Sequence, residues 1–263
     1  MAGFPGATII FEGINLPLFA SQTMPTQTTS KQKIVTQLFA TMAKHVKNKP
    51  IESRPVLEQL IYAILRENAT RESADQAFEA LRGRFFDWNE VRVTSTLEII
   101  ETFNGALSDA EARAQRIVDL LQEIFETTYS FDLEPLLEVL QKKGMKQAAK
   151  QLMRFQAAND YAAAWVMQQS LGGHVIPLDS TALRVLKRMG MIEELADLEA
   201  IRASIENQIP KAKGSQFVDL ISVLADLHCL EQAPRCSACP LRTACPTGQE
   251  AKAHAAPTMK KPR

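Results

Sequence analysis

The residues best suited to chemistry are the four cysteines of this 263-residue chain, Cys229, Cys236, Cys239 and Cys245. Their spacing is C-x6-C-x2-C-x5-C, so every thiol lies within one short segment. Thiolates this close in sequence converge on one centre if the loop wraps around it, and Cys236-Ser237-Ala238-Cys239 is the short turn that brings two sulfurs to the same side. Pro234 and Pro240 stiffen the wrapping. Soft thiolate ligands select zinc or an iron–sulfur cluster, and spacing alone leaves both open. A pair of disulfides is the weaker reading, because Met1 to Thr23 has no basic segment of the kind that opens a secretory signal and the expected compartment is reducing.

The elements that must hold this loop read as helices. Ile34, Leu38 and Met42 with Val35, Phe39 and Val46 form one apolar stripe at helical spacing, and Leu57, Leu60, Ile61 and Ile64 form the next. Ser95-Thr96-Leu97-Glu98 and Ser108-Asp109-Ala110-Glu111 fit the capping box, while Gly83, Gly105, Gly144 and Gly190 sit where helices should stop. About ten helices are expected. Alternating β-branched runs bounded by hairpin turns are absent, so the fold class is all-α. No fixed-period repeat points to a solenoid. Residues 1–30 read as a mobile leader and 248–263 as a disordered basic tail ending in Lys260, Lys261 and Arg263. No run approaches the ~18 apolar residues of a membrane span, so no membrane association is expected.

Charge cancels over the whole chain, with 30 basic and 30 acidic residues, but it is segregated. Residues 95–138 hold ten acids against Arg113 and Arg116, a net of −8, whereas 139–188 hold eight cations against Asp160 and Asp179, a net of +6. The basic segment could face phosphates or simply be solvated.

The cysteine spacing resembles the carboxy-terminal four-iron, four-sulfur motif of the endonuclease III group within the helix-hairpin-helix DNA glycosylases. A second segment is similar to the same family: Ala162–Gln169 followed by Gly172-Gly173-His174-Val175-Ile176-Pro177-Leu178-Asp179-Ser180-Thr181-Ala182-Leu183-Arg184-Val185. The resemblance spans most of 31–247 and implies a two-lobed all-α fold, with a helical barrel domain at 53–173 and a cluster domain formed by 31–52 plus 174–247. It implies a 4Fe-4S cofactor held by the four cysteines, a double-stranded DNA partner, a monomer and a cytoplasmic location, nucleoid-associated if the source is bacterial. It places Asp179 at the family's catalytic aspartate, where a carboxylate offsets positive charge developing on a deoxyribose and orients water. As a helix N-cap, Asp179 would also serve structure.

Two departures carry further expectations. The family's glycine-bearing hairpin turn corresponds here to Phe155-Gln156-Ala157-Ala158-Asn159, without glycine. The family lysine that forms a Schiff base corresponds to Tyr161, which has no amine, so the resemblance implies base hydrolysis without strand cleavage. Gln156, Asn159, Arg184 and Arg235 are the candidate DNA contacts, with Asn68 in Arg66-Glu67-Asn68-Ala69-Thr70 as a candidate gap-filling residue or the cap of the next helix. The alternative function is a glycosylase-derived DNA-binding protein without base excision. A zinc-stabilised helical adaptor is a third reading.

Overall fold

A computed structural model describes residues 27–46, 52–193 and 196–254, and the leader to residue 26 and the tail beyond 254 lie outside the described residues. The described residues form thirteen α-helices and no strand. They are α1 (Gln27–Met42), α2 (Val56–Arg66), α3 (Arg71–Arg84), α4 (Trp88–Val93), α5 (Thr96–Phe103), α6 (Ala110–Thr128) and α7 (Glu134–Lys143). The remainder are α8 (Met145–Leu152), α9 (Asp160–Gln169), α10 (Ser180–Arg188), α11 (Leu198–Glu206), α12 (Gly214–Leu227) and α13 (Pro246–His254). All-α is therefore correct, with more and shorter helices than the apolar periodicity resolves.

Helix α2 is the axis of the first lobe. Its sequence Val-Leu-Glu-Gln-Leu-Ile-Tyr-Ala-Ile-Leu-Arg is apolar on nearly every side, and all of it except Glu58 is buried. A helix with no polar face needs neighbours all round. It packs against α3, α6 and α9, and α4 and α5 close over α6. In the second lobe α12 packs against α1 and α10, and the stripe Ile34, Val35, Leu38 and Met42 of α1 is buried as its spacing predicts.

Side-chain caps open α3, α4, α5, α9, α10 and α11. Ser95 accepts the Glu98 N–H at 3.3 Å, which is half of the expected capping box, while the Glu98 carboxylate accepts the Thr94 hydroxyl at 2.8 Å instead of reaching back to the cap. The second box fails, because α6 starts after Asp109, which is left-handed at φ 54° with no side-chain cap, and the Ser108 carbonyl instead accepts Arg113 Nε. Gly83 lies inside α3 rather than ending it. Gly190, at φ 68°, does end α10, a conformation that only glycine adopts cheaply. The expected tail is also corrected in part: α13 runs to His254, and its cap region packs Gly248 closely against the Arg242 backbone. At the other end, α1 begins at Gln27, inside the segment expected to be leader.

Candidate active site

The site forms where the end of α2 meets the start of α10. Helix α2 stops at Arg66, and its last carbonyls need partners that the helix no longer supplies. Arg113 of α6 provides them, donating to the carbonyls of Ile64 at 2.5 Å, Leu65 at 3.2 Å and Glu67 at 2.6 Å. The chain then turns through Asn68, left-handed at φ 54°, which asparagine tolerates better than most residues. Thr70, not Asn68, caps α3, accepting the Ser73 N–H at 3.2 Å.

Asn68 is instead bound across to Asp179. The Asp179 carboxylate is 9% exposed. Its Oδ1 accepts the Ala182 N–H at 2.6 Å and caps α10, and its Oδ2 accepts the Asn68 N–H at 2.8 Å. In return Asn68 Oδ1 accepts the Thr181 N–H at 3.0 Å and the Ser180 hydroxyl at 2.9 Å. Three of these four hydrogen bonds close a reciprocal clamp between Asn68 and the start of α10, and two N–H groups fix the carboxylate, one on each oxygen. Each oxygen keeps lone-pair capacity for a further donor, such as a water.

Tyr161 stands behind this clamp. It is 3% exposed, stacks on Trp165 with centroids 6.3 Å apart, and its hydroxyl has no hydrogen-bond partner among the described residues. Burial pushes its phenol well above the ordinary tyrosine range; the nearby Arg66 guanidinium opposes that shift, and the Asp179 and Glu67 carboxylates add to it. The group is therefore a neutral phenol.

Arg66 is fully buried, a placement a charged residue accepts only when paired. Its guanidinium donates to Asp219 at 3.0 Å, to the Ser222 hydroxyl at 2.9 Å and to the Ala69 carbonyl, and Arg71 donates to the other Asp219 oxygen at 3.2 Å. This ion pair joins α2 to α12. Sequence periodicity passes over Arg66; its one visible signal is a cation ending an otherwise apolar run.

The hairpin is α8, the turn Met153–Asn159 and α9. Without glycines, the turn is held by side chains of α6. Arg116 Nε donates to the Ala157 carbonyl at 2.8 Å, while Glu123, two turns along the same helix, accepts the Gln156 N–H at 2.8 Å and the Ala157 N–H at 3.4 Å. Asn159 caps α9, accepting the Ala162 N–H at 3.0 Å, and its Nδ2 donates to Glu67 at 2.8 Å. Glu67 also pairs with Arg116 at 2.5 Å. Gln156 and Asn159 are thus placed by contacts within the chain, and neither Glu123 nor Arg116 was expected at this turn.

An open groove of about 340 Å³ lies outside the clamp, between Asn68 and Thr70 on one side and Thr181, Arg184, Leu230 and Glu231 on the other. On the inner side, between Asp179, Arg66 and Phe217, only about 10 Å³ remains. Arg184 faces the groove and donates to the Cys229 carbonyl at 3.4 Å, tying it to the cysteine loop. Arg235 is exposed on that loop.

The four cysteines are free thiols, none is fully buried, and all of them line one small cavity with Leu224, Leu241 and Arg188. Burial pushes the Cys239 and Cys245 thiols up. Arg188 braces the loop, donating to the carbonyls of Leu230 at 2.5 Å and Glu231 at 2.8 Å, and its own carbonyl accepts from the Cys245 thiol at 3.2 Å. Among the described residues no three histidine, cysteine, aspartate or glutamate side chains close in as the ligands of a single ion do.

No protein-family model matches the chain. Endonuclease III of Bacillus subtilis is 26% identical over 100 residues, 38% of this chain and 46% of its own length. A second relative, from Arabidopsis thaliana, is 22% identical over 160 residues, 60% of this chain. The matches span about half the length of these curated relatives. Among solved structures, a non-covalent endonuclease III–DNA complex superposes with a TM-score of 0.60 at 20% identity, covering 85% of this chain and 98% of that one. A thermostable thymine-DNA glycosylase gives 0.59 at 18% identity, covering 85% and 99%. With its two helical lobes, its hairpin and these likenesses, the chain has the helix-hairpin-helix DNA glycosylase fold of the endonuclease III type.

Proposed function

We propose that the protein is a DNA glycosylase that hydrolyses the N-glycosidic bond of a damaged or mispaired base in double-stranded DNA, acts as a monomer, and leaves the strand uncut. The reading rests on Asp179, a carboxylate held by two backbone N–H groups and bound to Asn68, which with Thr181 lines the open groove. As the bond to the base breaks, positive charge grows on the sugar. A fixed carboxylate stabilises that charge without having to reorganise. Its free lone pairs orient the water that attacks the sugar carbon. Tyr161 occupies the place of a Schiff-base amine and supplies none, so water is the nucleophile and no covalent adduct forms. Asn68, at the groove edge, enters the space left by the everted nucleotide after releasing Ser180 and Thr181. Arg184 and Arg235 lie on the DNA side.

Cys229, Cys236, Cys239 and Cys245 hold a four-iron, four-sulfur cluster in this proposal. The donor set supports it: four free thiols line one cavity, and thiolates are the ligands such a core takes. Bound there, such a cluster would add rigidity to the loop that Arg188 and Arg184 brace.

The test is release of free base from a panel of lesion and mismatch duplexes, comparing wild type with Asp179→Asn. Release by wild type above the variant's background is expected for at least one duplex, with no borohydride-trapped adduct. Equal background for both proteins across the panel overturns the enzymatic reading, and a trapped adduct overturns the assignment to water.

A further inference from the structure

The hairpin turn has two adjacent backbone N–H groups, Gln156 and Ala157, aimed at one anion, the arrangement by which main-chain nests bind phosphate or carboxylate. Here the anion belongs to the chain itself: both Glu123 oxygens are engaged, at 2.8 and 3.4 Å. A phosphate can use these amides only by displacing a carboxylate that is tethered in place. The amide route to DNA is closed.

Beside the turn lies a different surface. Lys146 and Lys150 are four residues apart on α8, and Arg154 follows four residues later where the helical winding continues through the Arg154 N–H to Gln151 carbonyl bond at 3.3 Å. Residues at this spacing share a helix face with about 6 Å between successive side-chain bases. All three are exposed, on the face opposite the buried Ala148 and Leu152. No acid pairs with any of them among the described residues. The acids nearest in sequence are engaged elsewhere, Lys142 holding Glu138 and Arg202 holding Asp160.

We infer that this chain grips the DNA backbone through the Lys146–Lys150–Arg154 stripe of α8, with Glu123 closing the hairpin amides to phosphate. The inference rests on the DNA partner proposed above and assigns the surface that meets it. Side-chain cations on a flexible stem replace fixed main-chain donors, so the contact is ionic, sequence-independent and strongly salt-dependent.

The experiment measures binding of a fluorescein-labelled undamaged duplex to the full chain as potassium chloride is varied. Lys146→Ala/Lys150→Ala/Arg154→Ala is compared with wild type and with a control lacking three equally exposed cations elsewhere, Lys33→Ala/Lys44→Ala/Lys211→Ala. Three lost phosphate contacts make the log–log salt slope shallower by about 2 to 3 and weaken binding at low salt by at least about tenfold, against little change for the control. Glu123→Gln, which keeps an oxygen for an amide N–H but removes the charge, tightens binding by about threefold. A stripe variant with the wild-type slope overturns the inference, as does a control that loses as much. Glu123→Gln binding no tighter than wild type overturns the closed-amide half. Wild type that fails to bind the duplex at low salt instead sinks the DNA reading itself, so the two failures are told apart.

Discussion

Neutralising Asp179 separates the catalytic role proposed for its carboxylate from the structural one its hydrogen bonds show. In Asp179→Asn the side-chain oxygen can still accept the Ala182 N–H, and asparagine caps a helix as well as aspartate, so the cap survives. The amide NH2 then faces the Asn68 N–H, donor against donor, where a 2.8 Å bond to a carboxylate stood. Losing a charge-assisted hydrogen bond and leaving a largely buried donor without a partner costs about 2 kcal/mol. Asp179→Ala also loses the cap, for about 3 kcal/mol in total. For a domain of this size each kcal/mol lowers Tm by roughly 2 to 4 °C, so Asp179→Asn should melt about 4 to 8 °C lower in scanning calorimetry, alongside its loss of base release. A carboxylate held only for chemistry behaves oppositely, since neutralising a strained functional group usually raises stability. A variant that melts at or above the wild-type temperature would refute the clamp.

Arg66→Met leaves Asp219 with Arg71 alone and should destabilise the chain by about 3 to 5 kcal/mol in urea unfolding, and a loss below about 1 kcal/mol would show that the ion pair between α2 and α12 is not holding. Tyr161→Phe removes a buried hydroxyl that has no partner, and a gain of about 1 kcal/mol is expected, a loss contradicting the placement. Burial holds the phenols of Tyr62 and Tyr161 above their ordinary range, so the absorbance of these two ionised tyrosines should be missing near pH 10 in the folded protein and appear on unfolding. The same raised values make stability full below the unfolded tyrosine pKa and decreasing as pH rises above about 10, where unfolding releases the two protons. Anaerobically purified protein should be brown and contain iron and sulfide, with Cys239→Ala losing the colour; colourless wild type with four titratable thiols would remove the cluster.

The helices were legible because burial leaves a period in the chain. Ile34, Leu38 and Met42 repeat every four residues, and those positions are the ones α1 buries. Asp179 was legible as a helix cap because capping depends on local sequence, and its Oδ1 does accept the Ala182 N–H. What escaped was set by distance along the chain. Arg66 and Asp219 are 153 residues apart and Glu123 lies 33 from the amide it binds, so no local pattern connects them. Asn68 shows the same limit: its neighbours suggested a cap for α3, but its partners lie on α10. The failed cap at Ser108 has a local cause, since Arg113 takes the Ser108 carbonyl and the helix starts one residue later.

The clamp between Asn68 and Asp179 joins positions 111 residues apart in the chain. A bond of such long reach cannot form until α2 has been built, the hairpin has turned back and α10 has docked, because loop closure must precede the contact that rewards it. The carboxylate is therefore fixed only once the two ends of this long loop have met. A half-collapsed chain already carries Lys146 and Lys150 on α8 while Asp179 still lacks its partner across the fold, so a fixed carboxylate at this position marks the finished structure.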